Sequence, residues 1–101
     1  MSGLTTHVLD TVRGTGAAAM RVQLRRGGEA LADVKLDETG RGKLAETLEP
    51  GGYELLFHAG DYQGAGFFDI IPIRFHVTDT GAHYHVPLIL SPFGYSTYRG
   101  G

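Results

Sequence analysis

Clusters of glycine divide this chain into short pieces, and that punctuation limits its folding more than any other feature. They fall at Gly14/Gly16, Gly27-Gly28, Gly40/Gly42, Gly51-Gly52 and between Gly60 and Gly66. Glycine supplies 16 of the 101 residues, against a usual share of about 7%. Between the clusters, apolar and polar residues alternate with period two, the period of a strand with one buried face. Short alternating segments at regular spacing with turn residues between them read as an all-β sandwich. Helix signals are weak, and residues 61–68 hold at most one short helix of a turn or two.

The first strand is expected over residues 5–12. The second spans 20–25, with Met20, Val22 and Leu24 on one face, and Ala32, Val34 and Leu36 alternate on a third. Thr39-Gly40-Arg41-Gly42 is a turn leading into a short fourth strand near Leu44. Tyr53, Leu55 and Phe57 mark the fifth, Ile73, Phe75 and Val77 the sixth. Tyr84, Val86, Leu88 and Leu90 mark the seventh, and residues 94–99 form the eighth.

Length fits one domain, residues 1–101, with one modest core. The formal charge is −2 with no basic stripe, which argues against nucleic acid as a partner. There is no cysteine, so neither disulfides nor thiolate chemistry enter. No apolar run approaches the roughly 20 residues of a membrane helix, and the first dozen residues lack the pattern of a secretion signal. A soluble, cytoplasmic protein without membrane association is the expectation. Gly14-x-Gly16 is too short and wrongly placed for a nucleotide loop.

The seventh strand carries a more specific signal. If Tyr84, Val86, Leu88 and Leu90 fill the core, then His83, His85, Pro87 and Ile89 share the opposite face. That face has no Lys, Glu or Asp, and a partly apolar outward face usually has a subunit or a ligand over it. On the first strand His7 and Leu9 share one face, Val8 and Val12 the other. On the last strand Ser96 and Tyr98 share a face, with Thr97 and Arg99 opposite. Parity alone does not say whether these three strands are neighbours.

Two stretches carry a resemblance. Residues 4–11 read LTTHVLDT, and residues 83–100 read HYHVPLILSPFGYSTYRG. Both are similar to signatures of the 5-hydroxyisourate hydrolases, the transthyretin-related proteins, and Thr39-Gly40-Arg41 resembles that family's arginine-bearing turn. The similarity spans the chain and is weakest between Gly60 and Pro72, where this sequence looks shortened. Transthyretin, the hormone carrier, shares the fold but lacks histidines at the His7 and His85 positions. It also lacks the arginine at Arg41 and the Tyr-Arg-Gly ending, all of which stand here.

The resemblance implies a transthyretin-like (prealbumin-like) β-sandwich of two four-stranded sheets, assembled as a homotetramer, a dimer of dimers. It also implies that the first, seventh and eighth strands lie in one sheet whose outer surface lines a cleft between dimers. The implied activity is hydrolysis of 5-hydroxyisourate to 2-oxo-4-hydroxy-4-carboxy-5-ureidoimidazoline in urate degradation, a purine pathway. His7 and His85 are the expected base system, since neutral imidazole accepts a proton near pH 7. Arg41, planar and permanently cationic, suits the substrate's polar edge and the developing oxyanion. Thus His7, Arg41 and His85 are the catalytic candidates, and His7, Arg41, Tyr98, Arg99 and Gly100 the substrate-binding ones. The family usually ends Tyr-Arg-Gly-Ser; Gly101 here removes one hydroxyl from that set.

Other readings stand beside this one. His58, His76 and His83 read as surface or structural residues. His83-x-His85 is workable spacing for two metal ligands, but no cysteine or carboxylate completes a site, so neither metal nor cofactor is expected. The main alternative is a transthyretin-type carrier of a small ligand without catalysis. A further one is a purely structural sandwich module, since fold alone does not decide function.

Overall fold

The computed structural model describes residues 3–101. In chain order its elements are β1 (Gly3–Asp10), β2 (Thr15–Gly16), β3 (Arg21–Arg26), β4 (Glu29–Lys35), β5 (Arg41–Ala45), β6 (Gly51–His58), α1 (Ala59–Gln63), β7 (Ile70–Val77), β8 (His83–His85), β9 (Leu88–Leu90) and β10 (Tyr95–Thr97). They form two sheets, as a transthyretin-like sandwich requires. One has the order β4-β3-β6-β7, all antiparallel.

The other is built around β1. Its first half pairs antiparallel with β5 and parallel with β8. Its second half pairs with β2 and, in parallel, with β9, which carries β10 at its edge. The expected seventh strand therefore appears as two short pieces, and the break falls at Val86-Pro87. Proline has no N–H to give to a ladder. Two hydroxyls occupy the freed carbonyls: Thr6 Oγ1 donates to Val86 O at 2.7 Å and Thr97 Oγ1 to Pro87 O at 2.8 Å. Counted as one interrupted strand, β8 and β9 join β5, β1 and β10 in a four-lane sheet, with two-residue β2 added at the side.

The core lies between the sheets. Leu4, Val8, Leu88 and Leu90 from one meet Val22, Leu24, Leu55, Phe57 and Ile71 from the other, all essentially inaccessible. Across β3 and β6, Val22 pairs with Phe57 and Leu24 with Leu55. Each such side chain contributes roughly 1.5–3 kcal/mol by leaving water, which fixes which face of every strand turns inward.

Two boundaries differ from expectation. The first strand ends at Asp10 because its Oδ1 accepts the amides of Val12 and Arg13, at 2.9 and 3.2 Å, and turns the chain. Val12 is consequently 69% exposed and shares no core face with Val8. The helix starts earlier than expected, at Ala59, which is buried, and Tyr62 fastens it by donating to Asp10 Oδ2 at 2.7 Å. Among the described residues no helix is long and apolar enough to cross a membrane.

Candidate active site

Strand register places the catalytic candidates. His7 on β1 is the cross-strand partner of Arg41 on β5, and Thr5 is paired with Lys43 on one side and His85 on the other. Thr5, His7 and Leu9 alternate with the buried residues of β1, so they stand on the outer face of the sheet. Arg41, Lys43, His85 and Ile89 continue that face onto the neighbouring strands. Leu9, 36% exposed, pairs with half-buried Ile89, which pairs with Ser96. The face is thus imidazole and cation at one end and apolar at the other.

A tight turn holds Arg41. The Asp37 carboxylate accepts the Thr39 amide at 2.8 Å, the Thr39 hydroxyl at 2.6 Å and the Arg41 amide at 3.0 Å. Those bonds, the Thr39 hydroxyl first, keep the Asp37 carboxyl below the usual carboxylate range. Gly40 takes a φ of +80°, and its carbonyl accepts the Val8 amide at 2.9 Å, tying the turn to β1. A Cβ on Gly16 would overlap the Thr39 carbonyl, so β2 and this turn interlock through bare backbone.

His85 is half-buried, and Thr5 Oγ1 lies 2.8 Å from its Nδ1 and 2.9 Å from Nε2 of His83. Burial lowers the His85 pKa, and the nearby charges of His7, His83 and Arg41 push it further down. A hydrogen bond to the Thr5 backbone opposes them without reversing the shift. The ring is therefore neutral at neutral pH, the state a general base needs. A cleft of about 400 Å³ opens here, lined by Thr5, Asp37, Arg41, Lys43 and His85 among others. A larger cleft of about 580 Å³ lies on the second sheet beside Arg74 and His76, and there the arginine is already bonded to the Glu54 carboxylate at 3.0 Å.

The C-terminal candidates divide. Gly100 returns to the cleft: its amide donates to the His85 carbonyl at 2.8 Å, and its Cα packs against the His85 ring. Tyr98 and Arg99 instead line a separate cleft with Ile73 and Phe75, where the Arg99 guanidinium sits 4.4 Å from the centre of the Tyr84 ring. Within one chain they do not reach Arg41. His58 is buried and bonded to Gln23 through Nε2 at 2.7 Å. Thr5 and Asp37 were not singled out from sequence, though Thr5 carried a signal in its two-residue spacing from His7; His83, read from sequence as a surface or structural residue, stands within hydrogen-bond distance of Thr5. Among the described residues no group of three or more His, Cys, Asp or Glu is placed to hold a metal ion.

A profile of the HIUase/Transthyretin family matches residues 4–100. The chain belongs to that family. It is 47% identical to "5-hydroxyisourate hydrolase 2" of Rhizobium meliloti, over 96% of this chain and 94% of that one. The solved structure of Klebsiella pneumoniae 5-hydroxyisourate hydrolase superposes with a TM-score of 0.91 at 34% identity, covering 100% of both chains. Sea bream transthyretin in complex with thyroxine superposes at 0.89 with 27% identity, over 97% of this chain and 94% of that one. A hydrolase and a thyroxine-bound transthyretin thus share this backbone, and side chains must distinguish them.

Proposed function

We propose that this chain hydrolyses 5-hydroxyisourate to 2-oxo-4-hydroxy-4-carboxy-5-ureidoimidazoline in urate degradation. The observation that carries the reading is a neutral, half-buried His85 facing the same cleft as Arg41, with His7 beside that arginine. The names of the relatives agree with it.

The chemistry follows from the side chains. His85, working with His7, takes a proton from water as the oxygen bonds to the ring carbonyl carbon. Negative charge collects on the carbonyl oxygen, where Arg41 supplies fixed positive charge and N–H donors. The carbon–nitrogen bond then breaks, the ring nitrogen receives the proton, and a carboxylate is left. Gly100, without a side chain, leaves the His85 ring its position. No step calls for a metal or a cofactor.

In this reading the whole chain works as one domain, in the cytoplasm, within a homotetramer of two dimers. The apolar Leu9–Ile89 end of the outer face favours cover by a second copy. Tyr98 and Arg99 would then serve a cleft other than their own chain's. A carrier of the transthyretin type has no use for a depressed imidazole beside an arginine.

The test is to generate 5-hydroxyisourate from urate in situ and follow its ultraviolet decay. Acceleration by the protein, lost in a folded His85→Ala variant, is expected; decay at the uncatalysed rate ends the assignment.

A further inference from the structure

We propose that Thr5 is a positioning residue whose hydroxyl sets the tautomer of His85, and that the exposed His83 sets the direction of that hydroxyl. The proposal rests on the hydrolase reading for its consequence in catalysis, but not for its geometry. Thr5 Oγ1 stands between two imidazole nitrogens, 2.8 Å from His85 Nδ1 and 2.9 Å from His83 Nε2. Both rings reach it because residues two apart on β8 share a face, and Thr5 is the register partner of His85.

A threonine hydroxyl has one proton and two lone pairs, so it donates to only one ring at a time. When it donates to His83 Nε2, it accepts from Nδ1–H of His85. The remaining nitrogen of His85, Nε2, then carries a free lone pair and is a base. When it donates to His85 Nδ1 instead, the proton of that ring sits on Nε2. His85 then offers a donor where the reaction needs an acceptor.

His83 decides between them. As a neutral ring with its proton on Nδ1 it accepts the Thr5 proton at Nε2; once protonated it donates from both nitrogens and accepts nothing. The Thr5 hydroxyl must then turn toward His85 Nδ1, which drives that ring into the tautomer that is no base. If both rings donated at once, the hydroxyl proton would have no acceptor among the described contacts. An exposed histidine thereby gates the half-buried one.

The other charged groups facing His85 are His7 on β1, Arg41 and Lys43 on β5, and Asp37 in the preceding turn; Lys43 is paired with Glu46. These act on the ring through space. None of them bonds to the Thr5 hydroxyl among the described contacts, so removing that oxygen isolates its effect.

The experiment uses the whole protein with ¹⁵N-labelled histidine and reads tautomers by NMR without substrate, alongside kcat and KM against pH. In the unaltered protein His85 is expected with its proton on Nδ1. Thr5→Val, of equal shape, should give a mixture of tautomers and lower kcat roughly 10- to 100-fold with KM little changed. Thr5→Ser should restore both. His83→Gln keeps an acceptor that does not titrate, so the acid limb of kcat should lose one protonation. A His85 proton on Nε2 at neutral pH, or an unchanged tautomer and acid limb in Thr5→Val, overturns the proposal. If Thr5→Val fails to fold, an acid limb unchanged in His83→Gln overturns it equally. A Thr5-dependent tautomer in a protein that does not hydrolyse 5-hydroxyisourate would remove the hydrolase reading alone.

Discussion

Gly100 and His85 are in contact twice: the Gly100 amide donates to the His85 carbonyl at 2.8 Å, and the Gly100 Cα rests against the imidazole. A methyl group at residue 100 would overlap the ring edge, so the imidazole would have to turn. Gly100→Ala is expected to fold normally and lose about 100-fold in kcat, the scale of a displaced catalytic group. Stopped-flow ultraviolet assays with a thermal melt check both halves. A variant with full turnover would mean that the ring's position does not matter.

Arg41 is expected to be intolerant even of lysine, since a point charge does not reproduce a planar, forked donor. Both Arg41→Lys and His7→Ala should lower kcat/KM about 100- to 1000-fold with the oligomer intact. Gel filtration with light scattering should give four times the 10.9 kDa of the chain for all three proteins. A particle of chain mass would remove the homotetramer from the reading.

The Asp10 carboxylate joins the end of β1 to α1 and offers a pH test. Burial raises its pKa, but the Tyr62 hydroxyl, the Arg13 and Val12 amides and the Arg13 charge outweigh that, and the net shift is downward from 3.8. A carboxyl depressed in the folded state adds stability that is complete above its unfolded pKa and is lost as pH falls through the folded one. Melting temperature should therefore hold steady above pH 4 and fall below about 3.8, more steeply than in Asp10→Asn. Asp10→Ala, which removes the charged acceptor of three hydrogen bonds, should cost about 1–3 kcal/mol. Chemical denaturation at pH 7 reads that loss directly.

Gly16→Ala tests whether the β2 contact holds the arginine turn. The added Cβ would overlap the Thr39 carbonyl two residues before Arg41. Overpacking of this kind costs about 1–3 kcal/mol, and the displaced turn should lower kcat/KM beyond what the drop in melting temperature accounts for. Loss of stability with unchanged turnover would place Arg41 under some other control.

The parity of the seventh strand could be read directly from its residues. Tyr84, Val86, Leu88 and Leu90 are all buried, while His85 and Ile89 are half-buried. Pro87 was expected with the outward set but is buried, because the break that proline forces in the ladder ends strict alternation there. The end of β1 escaped for a similar reason. Asp10 looks like one more strand residue until its carboxylate is seen to take two amides, a contact that hydrophobic period does not encode. The pairing of His7 with Arg41 needs the register of two strands about thirty residues apart, and no local pattern carries that. Tyr98 and Arg99 were placed by family motif alone, and one chain's geometry sends them to a different cleft from Gly100.

On β1, Leu4, Thr6, Val8 and Asp10 turn inward while Thr5, His7 and Leu9 turn outward. Foundations and tools are thus written in alternate letters of a single word. The outward letters can be changed without touching the inward ones that hold the sandwich shut.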